Sequence, residues 1–351
     1  MDLSVMFFGA DDAGSRGGHA GKYDEIIAIA READALGFTA IWTPERHFQQ
    51  VGQVFPSPPV LAAALAVATE RIALRAGSVV LPLHHPLRVF EDWAVVDNLS
   101  HGRVGVSVAT GWHSADFVLA PDSYANRRAL AFEGITTLRR LWAGEPMTLP
   151  DGTNRPVTVR PQPRPVSPWL PIWITASGSQ ETWITAGRLR ANVLSTTIGQ
   201  TREELAQKIG RYREAYDAAP QQGAPAARGT VTLMAHTYVG RDDAEAASRA
   251  SAPLRAYLKS YVAQAAASRD ADGRTVALGS AQLDQLTDFA VRRYLAWGSL
   301  LAAPETCGRM LADLSALGCD EVACFIDFGL ASADVLASLR RLASLRKEMA
   351  A

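Results

Sequence analysis

The fold is decided by residues 72–109. Residues 72–81 (IALRAGSVVL) form an apolar run of strand length, Pro86–Leu99 (PLRVFEDWAVVDNL) reads as a helix with proline in its first turn, and Val104–Ala109 (VGVSVA) reads as a second strand. Strand, helix and strand in this order predict parallel pairing through a right-handed crossover. The same alternation extends in both directions. Upstream lie strand 3–8, helix 23–36 with Ile26, Ile27, Ala30 and Ala33 at helical spacing and a stop at Gly37, strand 39–43, and helix 58–69. Downstream come helix 127–142, strand 170–175, helix 179–188, strand 192–196, helix 202–218 and strand 230–239. A long helical region follows, and strand 321–326 and helix 333–349 close the chain. Eight strand–helix units favour a closed (β/α)8 TIM barrel, of the α/β class, over an open sheet, and 351 residues accommodate it as one domain over 1–351.

Insertions interrupt the count. Residues 145–171 hold eight prolines and a PDGT turn at 150–153, which predicts a hairpin or extended arm after the fourth helix. Residues 268–285, beginning SRDADGR, predict a polar mobile loop after the seventh strand, and 218–229 a surface loop.

With 48% apolar residues and a net charge of −1, the chain is neither disordered nor generally attracted to nucleic acid or an anionic membrane. Cys307, Cys319 and Cys324 lie together in the last fifth, unsuited to a disulfide framework, which points to a reducing compartment. The apolar runs 60–68 and 295–303 are about half the length needed to cross a bilayer, and the start MDLS lacks the basic residues of a secretory signal. A cytoplasmic protein is expected.

In a TIM barrel the site lies at the C-terminal ends of the strands. Polar residues collect there: Thr43, Glu45, Arg46 and His47 after the second strand, His84 and His85 after the third, Thr110 and His113 after the fourth, and His236 in the seventh. The first strand ends Phe7-Phe8-Gly9, which offers no metal ligand, and no HExxH, GxSxG, GxGxxG or Walker A pattern is present. Residues 174–180 (ITASGSQ) run from the fifth strand into a helix. Their small side chains let backbone N–H groups approach an anion, although Ser179 reads equally well as a simple N-cap.

WTPERHF at 42–48, AGSVVLP at 76–82 with His85-Pro86, SHGRV at 100–104 and ATGW at 109–112 together resemble the bacterial luciferase-like flavin-dependent monooxygenases over nearly the whole chain. The wording TPERHF and VLPLHHP is similar to the subfamily associated with polyketide and non-ribosomal peptide biosynthesis. The resemblance implies a barrel that binds reduced FMN, supplied by a separate flavin reductase, and inserts one atom of O2 into a biosynthetic intermediate, free or tethered to a carrier protein. It places Ser177, Gly178, Ser179 and Arg128 around the FMN phosphate, Gly77 and Ser78 at a strand bulge, often with a cis peptide, under the flavin ring, and Thr110 and Asp116 beside it. Glu45, Arg46 and His47 become the catalytic candidates.

Luciferases carry two histidines after this glutamate, the first catalytic, whereas here Arg46 stands first. Arginine cannot be a base, but it can hold an anionic flavin or oxygen species, or else pair with Glu45 or another carboxylate at the rim. His47 can donate a proton or merely brace a strand end; His84 and His85 read as shaping a helix entry, Trp112 as a pocket wall and Asp97 as a buried helix contact. Two other readings stay open: a deazaflavin-dependent oxidoreductase on the same barrel, and a non-catalytic flavin-binding partner subunit. The alanine-rich helix 58–69, apolar on nearly every face, predicts a homodimer.

Overall fold

A computed structural model describes residues 1–9, 18–48, 52–220, 228–267 and 279–350. The elements run β1 (Asp2–Met6), α1 (Gly18–Leu36), β2 (Ala40–Thr43), α2 (Pro58–Ala68), β3 (Ala73–Val80), α3 (Pro86–Leu99), β4 (Val104–Ala109) and α4 (Arg127–Ala143). There follow β5 (Met147–Pro150), β6 (Pro156–Val159), β7 (Ile172–Thr175), α5 (Gln180–Arg188), β8 (Asn192–Thr196), α6 (Arg202–Ala218) and β9 (Val231–Val239). The chain ends with α7 (Asp243–Ala267), α8 (Ser280–Ala296), β10 (Leu300–Ala302), α9 (Pro304–Ala316), β11 (Glu321–Phe325) and α10 (Ser332–Ala350).

Eight parallel strands close in the order β1-β2-β3-β4-β7-β8-β9-β11, and β11 returns to β1 with Asp2 opposite Glu321 and Met6 opposite Phe325. Closure removes both sheet edges, and helices cover the outside. Met6, Trp42, Trp173, Leu194 and Ala323 fill the barrel interior. Beneath them the Arg75 guanidinium pairs with Glu321 at 2.7 Å and lies 4.9 Å and 4.5 Å from the ring centres of Trp42 and Trp173. Glu321 also accepts from the Ser4 hydroxyl, so the buried charges are paired and hydrogen-bonded as their burial demands.

The SHGRV stretch is structural. Arg103 donates to the carbonyls of Ala66, Thr69, Ile72 and Ser100 and to the Thr69 hydroxyl, supplying partners for the last carbonyls of α2. Asp97, fully buried on α3, accepts from the N–H groups of Val166 and Ser167 and from the Ser167 hydroxyl, so the helix contact expected for it holds the proline-rich arm. That arm contains the antiparallel β5–β6 hairpin, turned by the Asp151 carboxylate accepting from the N–H groups of Thr153 and Arg155.

The loop expected at 268–285 is corrected in part. Residues 268–278 lie outside the described residues, and from Ser280 the chain is helical, with Thr287 and Tyr294 on the buried face of α8. Within the apolar run at 295–303, Leu300–Ala302 forms β10, a ninth member of the main sheet beyond the eight expected, pairing in parallel with the end of β9. Its three residues are too short for a period-2 pattern to register. Of the loop expected at 218–229, residues 221–227 also lie outside the described residues. Among the described residues no helix is long and apolar enough to cross a membrane.

Candidate active site at the strand C-termini

Glu45 stands two residues beyond β2 and its side chain is completely buried. One oxygen, Oε1, lies 2.8 Å from His47 Nε2 and 2.6 Å from His84 Nε2; the other, Oε2, accepts from the Val80 N–H at 2.7 Å. Burial pushes this carboxyl upward, but the bonds from both histidines and Val80 outweigh it and hold the pKa below its ordinary value. For His84 burial works against the charged form, and the hydrogen bond and charge of Glu45 win, raising its pKa. His84 therefore does not merely shape the helix entry. That description fits His85, whose Nδ1 accepts from the Leu87 N–H at the start of α3.

Arg46 does not pair with Glu45. Its guanidinium lies 3.9 Å from the ring centre of Phe8 and 5.9 Å from that of Trp112, and among the described residues nothing accepts its hydrogen bonds. Burial lowers its pKa, while the charges of Tyr257, Tyr261 and Asp116 oppose that shift. Asp116, in a 3-10 segment at Ser114–Leu119, has Oδ1 at 3.9 Å from His113 Nδ1; burial raises its pKa against the charges of His113, His47 and Arg46. Two further polar atoms, Thr43 Oγ1 and Asp116 Oδ1, are buried without a hydrogen-bond partner among the described residues. Buried polar atoms are normally satisfied, so the mouth is built to receive polar groups.

Thr110 sits half-buried directly after β4. Gly111, at φ +78°, turns the chain there, and a Cβ on it would come within 2.7 Å of the Phe117 ring. The peptide Gly77–Ser78 is cis, and the register between β3 and β4 shifts between Gly77 and Val79. A Cβ on Gly77 would meet Met6 at 2.9 Å, so the barrel interior leaves space for nothing larger. The Ser78 hydroxyl is hydrogen-bonded to that of Thr175, which also meets Ser107 at 2.8 Å.

Further round the rim, Ser177, Gly178 and Ser179 are exposed where β7 leads into α5. Ser179 occupies the N-cap position, but its side chain makes no capping bond; the Thr182 N–H donates to the Ser179 carbonyl at 3.1 Å, and the N–H groups of Gln180 and Glu181 before it keep their capacity for an anion. Arg128, on the first turn of α4, reaches across to donate to Thr182 Oγ1 at 3.1 Å. Sequence reading missed Lys208, whose buried ammonium donates to Gln200 Oε1 at 2.7 Å and to the Ser177 carbonyl at 3.4 Å. The signal was present: Lys208 stands on the face of α6 that buries Leu205, Ile209, Tyr212 and Tyr216. The structure thus gathers Glu45, Arg46, His47 and Asp116 into one group and Arg128 with 177–179 into a second. His236, expected at the rim, is enclosed by Phe325, Tyr257, Phe328 and Tyr294, and burial pulls its pKa down to about 3.

The profile of the family described as luciferase-like monooxygenase matches residues 1–321. The chain is 27% identical over 331 residues to the oxygenase component of flavin-dependent trigonelline monooxygenase from Acinetobacter baylyi, covering 91% of this chain and 88% of that protein. Among solved structures, monooxygenase RslO1 from Streptomyces bottropensis superposes with a TM-score of 0.81 at 22% identity, covering all of both chains. The oxygenating constituent of 3,6-diketocamphane monooxygenase from Pseudomonas putida, in complex with FMN, does so with 0.74 at 19% identity, over 98% of this chain and 96% of that one.

Proposed function

The chain belongs to the luciferase-like monooxygenase family and is a flavin-dependent monooxygenase, and from that premise we propose that its flavin is FMN, received in reduced form from a separate reductase. The observation that carries this reading is the uncapped, exposed N-terminus of α5 with Arg128 across it and Lys208 beneath it, a donor set suited to a phosphate dianion. The name of the Acinetobacter relative, an oxygenase component, supports the reductase. Gly77, Ser78, Thr110 and Asp116 are assigned to the flavin ring and Glu45 to the chemistry beside it, a reading supported by the resemblance of the motifs that contain them.

Bound reduced FMN supplies the electrons that activate O2. The chain's own residues do the rest. Arg46 holds a fixed positive charge against the mouth, where low dielectric strengthens its pull on negative charge developing on oxygen. His47, anchored by Glu45, exchanges a proton there. The substrate is a biosynthetic intermediate, free or carrier-tethered, a reading supported by the TPERHF and VLPLHHP wording. The whole chain acts as one barrel domain. It pairs with a second copy through α2 and α3, where Val60, Val67, Val95 and Leu99 present exposed apolar surface.

The test is incubation of candidate substrates with the protein, reduced FMN and 18O2, followed by mass spectrometry. Incorporation of one labelled oxygen supports the reading. Reduction of a deazaflavin in its place, with no oxygen uptake, replaces it.

A further inference from the structure

We propose that His84 is a positioning residue for the reaction: through the shared oxygen Oε1 of Glu45, it governs whether His47 carries a proton in the site. This deepens the proposed function and rests on His47 serving that reaction. The geometry is a fork. Two imidazole Nε2 atoms, 2.6 Å and 2.8 Å away, address one carboxylate oxygen, while the second oxygen is taken by the Val80 N–H. One carboxylate compensates one imidazolium, so a second charge on the fork is uncompensated in a buried setting.

The two histidines face different surroundings. His84 has a third of its side chain exposed and lines a small cleft with Glu45, Pro58, Arg88, Asp92 and Trp93, between α2 and α3. Asp92 adds negative charge beside it, itself paired with Arg88 at 2.6 Å. His47 has 9% of its side chain exposed and lies on the side of Arg46, Asp116 and His113. The outer histidine, with its pKa raised, takes the proton first. Because one shared oxygen compensates one imidazolium at a time, a proton held by His84 leaves His47 to donate its Nε2–H to Glu45, with Nδ1 as its acceptor atom. In that state it accepts a proton in the site; with His84 uncharged, Glu45 turns its whole charge to His47 and makes it a donor. No bond other than N–H changes, and the proton lost by one ring appears on the other or in water.

The experiment is 15N-edited NMR titration of the histidines in the flavin-free full chain. It compares wild type with His84→Gln, which keeps a hydrogen bond but cannot charge, and with Asp92→Asn, which removes the carboxylate charge beside His84 and touches neither Glu45 nor His47 directly. We expect wild-type His84 to titrate above the usual histidine range. In His84→Gln the His47 resonances should titrate at higher pH than in wild type, because the Glu45 carboxylate then has one imidazolium to compensate. In Asp92→Asn the His47 midpoint should rise by less, as His84 falls. The pH profile of kcat/KM in the loaded enzyme should shift by the same amount as His47. A His47 midpoint unmoved while His84 moves in Asp92→Asn overturns the proposal, and so does a coupled titration with an unshifted kcat/KM profile. If wild type consumes no reduced FMN, the flavin reading fails, whereas the coupling in the flavin-free chain stands or falls independently.

Discussion

Removing the guanidinium of Arg128 should weaken FMN binding about 10- to 100-fold and leave riboflavin binding unchanged. The side chain is exposed at the start of α4 and donates to Thr182 in the first turn of α5. A phosphate at that turn therefore gains one charge-assisted bond, about 1.5–3 kcal/mol. Part of this is offset by desolvation, leaving about 1.4–2.8 kcal/mol, the range stated. Exposure carries a second consequence. Because a screening length near 8 Å at physiological salt affects exposed pairs most, the gap between wild type and Arg128→Ala should narrow between about 50 and 500 mM salt. Arg128→Lys should recover the charge but not the planar fork, and so fall between them. The assay is titration of oxidised FMN and of riboflavin by flavin fluorescence in the three proteins at both salt concentrations. Equal FMN affinity in wild type and Arg128→Ala refutes the phosphate assignment. An equal loss for FMN and riboflavin refutes it too, since riboflavin has no phosphate to hold.

Three further outcomes are expected. Arg46→Ala and His47→Ala should each lower product formed per reduced flavin and release the balance as hydrogen peroxide, with rate losses of about 10²-fold; wild-type yield without extra peroxide in single-turnover mixing would remove both residues from the oxygen chemistry. Val60→Asp combined with Val67→Asp on α2 should convert a dimer to monomer in light scattering at micromolar concentration; wild type that is already monomeric sinks the interface. Asp34 accepts from the N–H groups of Glu70, Arg71 and Ile72, which overcome the upward push of burial and lower its pKa below 3.8. A depressed carboxyl stabilises the fold above its unfolded pKa and loses that contribution as pH falls through the folded value. Asp34→Asn should therefore cost about 1–3 kcal/mol at neutral pH, and the difference in urea midpoints should stay constant down to about pH 4 and shrink only below it.

What the sequence determined by itself is what short range encodes. Periods of two and 3.6, proline at helix starts and glycine at helix ends are properties of contiguous residues, so the alternation of eight barrel strands with helices, the β5–β6 hairpin and the buried role of Asp97 were legible. The motifs TPERHF and ITASGSQ marked both halves of the rim for the same reason, since each is one loop. The limits appear where contiguity ends. α8 begins in polar residues that read as loop, because its buried face becomes apolar only through packing; β10 is three residues long and exists because β9 offers it a partner. Glu45 and His84 are 39 residues apart and meet only because β2 and β3 are neighbours in a closed barrel. Arg46 looked able to pair with Glu45, its sequence neighbour. Instead Glu45 is occupied by His47 from its own loop and by Val80 and His84 from β3 and the turn after it, and the guanidinium lies against Phe8, just beyond β1. Lys208 acquires its place under the 177–179 turn in the same way, from α6, 31 residues beyond Ser177. Which charges are buried, and against what, is set by the tertiary fold, because burial and its electrostatic consequences belong to distances in space that the order of residues does not contain.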